Sequence, residues 1–258
     1  MLLCLDVGNS HIHGGLFHND QCIMQFRYAT DSISATSDQL GVFLRQVIKE
    51  NEQDPTKVQD VAICSVVPSI NYSLRSAIIK YLNTEPFFLQ AGVKTGLKIK
   101  YPHPQEIGAD MIAGAIAATH QFPKRNLIVI DMGTATVINP ISEKGEFLGA
   151  VIMAGMKTSI SALSTGTSQL PPVNITKMTE IIGKSTPHCI QAGLYYGTRG
   201  ALNEIINEII KEQGWTKANT TVLATGGFSH IFAEDQLFNM ILPDLLLQGI
   251  KLAFEKNQ

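Results

Sequence analysis

The stretch "LLCLDVGNSHIHGGLF", residues 2–17, runs apolar up to one acid, Asp6, turns on Gly8 and Asn9, and becomes apolar again. A carboxylate is a costly group with which to end a buried strand unless something pairs with it. The same shape returns in "LIVIDMGTATVINPIS", residues 127–142, with Asp131 and Gly133 in the places of Asp6 and Gly8. One copy reads equally well as a hairpin turn of the kind that favours Asp and Gly. Two copies in matching strand contexts predict a duplicated unit whose turns share a task.

Outward from each copy, strand and helix alternate. In "TSDQLGVFLRQVIKENEQ" (36–53), Leu40, Phe43, Leu44, Val47 and Ile48 fall at helical spacing, with Ser37 as the expected N-cap. "VAICSVV" (61–67) reads as a buried strand ending at Pro68, and "SINYSLRSAIIKYL" (69–82) as a helix. "GADMIAGAIAATHQF" (108–122) is a helix whose Ala and Gly content suits close approach to another backbone, inside the chain or across a subunit boundary. The strands around Asp131 and in "EFLGAVIMAG" (146–155) come next, then a helix through "MKTSISALST" (156–165). A further helix in "GALNEIINEIIKEQG" (200–214) carries Leu202, Ile205, Ile206, Ile209 and Ile210 on one face, closed by Gly214. "TVLATGGFS" (221–229) in the second half rhymes with "VAICSVVPS" (61–69) in the first. The pattern is a βββαβα unit used twice, with domains expected at 1–118 and 119–258.

A chain of 258 residues is long enough for two packed domains, and a net charge of -2 without a long basic run excludes the usual footprint of nucleic-acid binding. No apolar run approaches the ~18 residues of a membrane span, so no membrane role is expected. "MLLCL" lacks a basic n-region and reads as an opening strand instead of a secretory signal. Cys4, Cys22, Cys64 and Cys189 are scattered without CxxC spacing, which points away from zinc and disulfides and toward a reducing cytoplasm.

Glycine at a strand turn lets backbone N–H groups approach an anion, and Asn9, Ser10, Thr134 and Thr136 add short polar side chains. Phosphate facing Asp6 and Asp131 would be repelled without a cation between them, so these turns imply phosphate and metal together. "TGG" (225–227) follows a buried strand, where a nucleotide's sugar or phosphate would meet bare backbone at Gly226 and Gly227; alone it reads as a plain turn. "GKST" (183–186) mimics the tail of a P-loop, but Met178 stands where that loop needs glycine. Strand alternation puts His11 and His13 on one face; with no third ligand they read as solvent-facing or cleft-lining imidazoles.

The two acid–glycine turns and the later glycine pair together resemble the actin, hexokinase and Hsp70 superfamily. Within it, "DVGNS" (6–10), "YPHPQEIGAD" (101–110), "DMGTAT" (131–136), "GAVIMAG" (149–155), "GKST" (183–186), "ATGG" (224–227) and "LPDLLLQGI" (242–250) resemble the type III pantothenate kinases, in family order and nearly end to end. The resemblance implies an α/β fold of duplicated actin-like ATPase (ribonuclease H-like) domains, with mixed five-stranded sheets flanked by helices and a central ATP cleft. It implies transfer of the γ-phosphoryl group of ATP to pantothenate, the first step of coenzyme A synthesis, by a homodimer needing Mg2+ and a monovalent cation, K+ or NH4+. Carried over by position, Asp6, Val7, Gly8, Asn9, Ser10, His11, Ile12 and His13 surround the ATP phosphates. Asp6 holds the divalent ion directly or through water, Thr134, Gly226 and Gly227 meet the nucleotide, and Asp131 sits at the monovalent cation. Asp110 accepts the proton of the pantothenate hydroxyl, with Tyr101, Gly108, Ala109, Met111 and Thr186 around that substrate.

Several of these residues have plainer readings. Asp110 stands where a helix cap belongs, and a helix N-terminus is expected to lower its pKa. Tyr101 reads as a half-buried aromatic beside Pro102, and Thr186 as the N-cap of the helix containing Cys189 and Leu194. Met111 departs from the family's usual arginine and gives up a charge-assisted donor. That departure leaves open a catalytically weakened nucleotide-binding relative. The ATP-side motifs alone also leave open a sugar or acetate kinase or an exopolyphosphatase; Tyr101 to Asp110 and Thr186 favour pantothenate.

Overall fold

The computed structural model describes residues 1–30 and 36–258, which form two compact units. The first comprises Met1–Gly96, Pro102–Ala117 and Asp244–Gln258; the second comprises Leu97–Tyr101 and Ala118–Pro243. The chain therefore does not divide at a single point near 118. Its C-terminal segment belongs with the first half, because the helix there carries an apolar face that the first sheet buries.

In the first unit, β1 (Leu2–Val7), β2 (His11–His18), β3 (Gln21–Ala29), β4 (Asp60–Ser65) and β5 (Phe87–Leu89) form a sheet in the order β3-β2-β1-β4-β5. β1 is antiparallel to β2 and parallel to β4. Leu3, Leu5, Val7, Ile12 and Ile63 project into a core shared with α1 (Ser37–Glu50) and α2 (Pro68–Leu82). Helix α1 is capped by Thr36, not Ser37. The Thr36 hydroxyl accepts from the Gln39 N–H, and the Gln39 side chain accepts from the Thr36 N–H, a capping box that makes Ser37 the first helical residue. Pro68 opens α2 at a position where its missing N–H costs nothing.

Two more helices complete this unit: the first two turns of α3 (Ala109–Gln121), which crosses the unit boundary, and α6 (Leu245–Glu255), which packs on β1, β4 and β5. α3 and α6 cross at Ala113 and Gly249, where a Cβ on Gly249 would stand 1.8 Å from the Ala113 carbonyl oxygen. The small residues expected to permit backbone approach do so within one chain. Lys251, buried on α6, donates to Asp20 at 2.9 Å and Glu255 at 2.6 Å, so its ammonium is paired where it leaves water.

The second unit repeats the order with β10 (Val151–Ala154), β8 (Ala135–Ile141), β7 (Asn126–Met132), β11 (Thr220–Thr225) and β12 (Met240–Ile241). The expectation of five strands falls short here, since the sheet has seven. Ile141 of β8 also pairs with β9 (Glu146–Phe147), and β6 (Lys98–Ile99) runs parallel to β9. β8 offers one edge to β10 along its first half and to β9 at its end, so the strand after the turn is shared between two neighbours. Helices α4 (Met156–Gly166) and α5 (Thr186–Glu212) lie on this unit, and Leu202, Ile206 and Ile209 of α5 enter its core. Ser185 caps α5 by accepting from the His188 N–H, which leaves Thr186 as the first helical residue instead of the cap. Gly214 adopts a left-handed φ of 64° just beyond the helix end. Among the described residues no helix is long and apolar enough to cross a membrane.

The α3–α6 crossing leaves no room for a side chain. Gly249→Ala is expected to lower the unfolding free energy by about 1–3 kcal/mol. A urea titration with an unchanged midpoint would contradict the crossing geometry.

Candidate active site

Each acid stands at the penultimate position of the central strand of its sheet. Asp6 is in register with His13 on β2 and Cys64 on β4. Asp131 is in register with Val137 on β8 and Thr225 on β11. The turns that follow close in similar ways: Gly8 N–H donates to the His11 carbonyl at 3.0 Å, and Gly133 N–H to the Ala135 carbonyl at 3.0 Å. The repeat seen in sequence is thus a repeat in backbone geometry.

In the first unit, Gly8, Asn9, Ser10 and His11 form a solvent-reaching turn, tied down by the Thr30 N–H donating to the Ser10 carbonyl at 2.9 Å. Val7 and Ile12 are buried in the core, so only their backbones face the turn. The two histidines separate: His11 is exposed, while His13 is buried and its Nε2 lies 3.1 Å from Gln25 Oε1. Burial, and then the Arg27 charge, lower the His13 pKa. With the Gln25 amide oxygen facing it, Nε2 is the donor of this bond.

Asp110 lies in the first turn of α3 in the same unit, half-buried, with Oδ1 accepting from the Met111 N–H at 2.8 Å. A Cβ on Gly108 would fall 2.3 Å from that oxygen, so the bare residue makes room for the folded-back carboxylate. Sequence reasoning expected a depressed pKa here, and the structure reverses the sign. Burial raises it, outweighing the hydrogen bonds from the backbone of Met111 and of Asp110 itself. A helix N-terminus is worth about 0.3–1 kcal/mol when exposed, whereas desolvation of a carboxylate shifts it by more. The bond from position 111 comes from the backbone and is kept whatever side chain stands there, so methionine in place of arginine does not disturb it.

The second unit holds Tyr101, Asp131, Thr134, Thr186, Gly226 and Gly227. The Thr134 carbonyl accepts from the Gly155 N–H at 3.1 Å and the Thr158 hydroxyl at 2.6 Å, which fixes the turn against the start of α4. Gly226 has φ of 84°, and a Cβ there would meet Asp131 Oδ1 at 2.4 Å and the Met132 backbone nitrogen at 2.6 Å. Asp131 and Gly226 are therefore one constellation, while Gly227 stands beside open space. Thr136, expected to add a hydroxyl to the turn, is instead buried in β8 opposite Met132. Tyr101 is half-buried with Cδ2 4.0 Å from where a Cβ on Gly149 would sit, and Thr186 is exposed.

Sequence reasoning did not single out Gln25, Thr158 or Ser229. The repeat held one clue, since Ser229 ends the segment that rhymes with residues 61–69. Among the described residues no three His, Cys, Asp or Glu side chains cluster as a ready-made metal cage.

Comparison with known proteins gives a consistent answer. A family model described as Type III pantothenate kinase matches residues 2–208. A type III pantothenate kinase of Legionella pneumophila is 51% identical over 257 residues, covering 100% of this chain and 99% of its own. The type III pantothenate kinase 1 of Francisella tularensis is 46% identical, covering 100% and 98%. Two solved structures share the fold at low identity. A Sinorhizobium meliloti protein assigned as a 2-dehydro-3-deoxygalactonokinase has a TM-score of 0.65 at 11% identity, covering 99% of this chain and 96% of its own. A conserved Campylobacter jejuni protein assigned to a Baf family of transcriptional activators has a TM-score of 0.60 at 20% identity, covering 99% and 98%.

The raised Asp110 pKa has a consequence for stability. Folding binds this proton more tightly than the unfolded chain does, so the carboxyl's contribution is fully present below the ordinary value of 3.8 and is lost as pH rises through the higher folded value. Asp110→Asn, which does not titrate, is expected to gain stability relative to the parent between about pH 4 and neutrality. Urea midpoints for the two proteins that track each other across that range would show that burial does not govern Asp110.

Proposed function

The chain belongs to the type III pantothenate kinase family, and from that premise we propose how its two acid–glycine turns and its helix-borne carboxylate divide the work. The protein phosphorylates pantothenate to 4'-phosphopantothenate with ATP as the phosphoryl donor, in coenzyme A biosynthesis. The observation that carries the division of roles is placement: Asp110 is half-buried in the first turn of a helix, folded back on its own N-terminus, while Asp6 and Asp131 stand at penultimate strand positions beside glycine turns.

Asp110 is the proton acceptor. As the pantothenate hydroxyl oxygen attacks the γ-phosphorus, its proton passes to the Asp110 carboxylate, the new O–P bond forms, and the bond to the β-phosphate oxygen breaks to release ADP. A loose phosphoryl-transfer transition state asks chiefly for positioning and charge neutralisation, so a modest base is enough. The raised pKa nonetheless brings Asp110 nearer the working pH, which helps it hold the proton. Gly108, Ala109 and Met111 present this carboxylate, and Tyr101 and Thr186 serve the remainder of the substrate.

The backbone of residues 6–13 surrounds the phosphates, with exposed Asn9 and His11 and the Ser10 hydroxyl as added polar groups. Buried His13 pairs with Gln25 on β3. Mg2+ fits Asp6, because that ion is commonly bound by one or two carboxylates with phosphate and water completing its shell, and no protein cage is needed. A monovalent cation, K+ or NH4+, fits Asp131, whose carboxylate lies in a cradle of bare glycine backbone that a Cβ on Gly226 would fill. Bound cations neutralise phosphate charge beside the two acids. Thr134, Gly226 and Gly227 meet the nucleotide.

The same reading makes the protein a cytoplasmic homodimer. Exposed Ile152, Ile181 and Ile182 support a partner surface, and four free thiols suit a reducing compartment. Sedimentation showing only 28.1 kDa particles would contradict the dimer, as recovery in the membrane or periplasmic fraction would the location.

A coupled ADP-release assay is expected to show turnover only with pantothenate present. Asp110→Asn should reduce kcat by about 10²–10⁴-fold. Since the base works deprotonated, kcat/KM should fall as pH drops through an apparent value above 3.8, and this acid limb should vanish in the variant. Full turnover by Asp110→Asn would remove Asp110 from the chemistry.

A further inference from the structure

We propose that Ser229 is a positioning residue for the cation held at Asp131, acting through the carbonyl of Gly226. This rests on the reading of Asp131 as the monovalent-cation site and names the group that keeps that site in shape.

Gly226 is pinned from both sides. Its left-handed backbone, φ 84°, brings its Cα so close to Asp131 that a Cβ would lie 2.4 Å from Oδ1. A residue in that conformation is free to rotate its peptide planes unless something holds them. Ser229 supplies the hold. Its hydroxyl donates to the Gly226 carbonyl at 2.8 Å and its N–H to the same oxygen at 3.3 Å. The Phe228 N–H donates to the Met132 carbonyl at 3.2 Å, which ties the start of this turn to the residue after Asp131.

Ser229 itself is only 2% exposed, and Gly226 is the one acceptor its hydroxyl is seen to use. A buried hydroxyl must spend its proton on an acceptor, so its direction is fixed by the Gly226 oxygen instead of by water. Loss of the hydroxyl leaves the N–H bond, which lets the Gly226 peptide tilt while the chain path survives. A tilt changes where Gly226 lies relative to the Asp131 carboxylate and therefore the space and the oxygen field a cation meets. The expected signature is weakened monovalent-cation binding with little change in the affinity for pantothenate, whose proposed contacts lie elsewhere.

The test compares Ser229→Ala, Ser229→Thr and Asp131→Asn with the parent, all as full chains. The readouts are the K+ concentration giving half-maximal turnover, the K+-induced rise in melting temperature without substrates, and the KM for pantothenate. Ser229→Ala is expected to raise the half-maximal K+ concentration about three- to tenfold, the range of a lost neutral hydrogen bond. Its K+-induced thermal shift should need correspondingly more K+, its pantothenate KM should stay within about twofold of the parent's, a margin below one lost bond, and Ser229→Thr should restore the parental K+ response. A K+ response of Ser229→Ala superimposable on the parent's, with Asp131→Asn impaired, overturns the role of Ser229 alone. A lower melting temperature without a change in K+ dependence makes Ser229 merely structural and overturns it too. A normal K+ response in Asp131→Asn overturns the cation reading, and this proposal with it.

Discussion

The second unit depends on one close approach: a carboxylate at the end of a buried strand, lying against a glycine with no room for a side chain. Asp131 occupies the strand that pairs with both neighbours, and Gly226 arrives from the adjacent parallel strand in a backbone conformation that ordinary residues avoid. A Cβ at Gly226 would press on the Asp131 oxygen and on the Met132 backbone at once, so neither side chain rotation nor a small backbone shift relieves it. The cost of such an arrangement is an acid at the edge of a core. The turns on either side of this contact are each tied down, the one after Gly226 by Ser229 and Phe228 and the one after Asp131 by the first residues of α4.

Asp110 solves a different electrostatic problem. It sits in a helix's first turn, where the backbone N–H groups favour negative charge, yet burial wins and its pKa rises. The same carboxylate oxygen accepts the Met111 N–H, so it is oriented by the helix while being kept partly out of water. Orientation plus a shifted pKa suits the role of proton acceptor proposed for it, and a freely solvated cap would have only the first. Met111 contributes its backbone N–H to this arrangement, a donor that does not depend on which side chain stands at that position.

Much of this was legible in the chain itself. The matching "LDVG" and "IDMG" segments foretold equal strand positions for Asp6 and Asp131, and the Ala/Gly content of α3 foretold a backbone crossing. What failed did so for local reasons with tertiary causes. Thr36 outcompeted Ser37 because Gln39 completes a reciprocal pair of bonds, and Ser185 took the cap from Thr186 because its hydroxyl reaches the His188 N–H. Strand alternation grouped His11 with His13, but their exposures differ: His11 stands at the turn in solvent, while His13, two residues further along β2, is buried. The second sheet gained strands because β8 has an edge long enough for two partners.

Sequence by itself determined the duplicated strand–acid–glycine order and the family, because these are properties of spacing and composition along one dimension. Only the tertiary structure decided the sign of the Asp110 shift, the membership of α6 in the first unit, and the contact between Asp131 and Gly226. Those are set by which atoms meet after the chain folds back on itself. Desolvation and backbone crowding act through space, and spacing along the chain carries no measure of either.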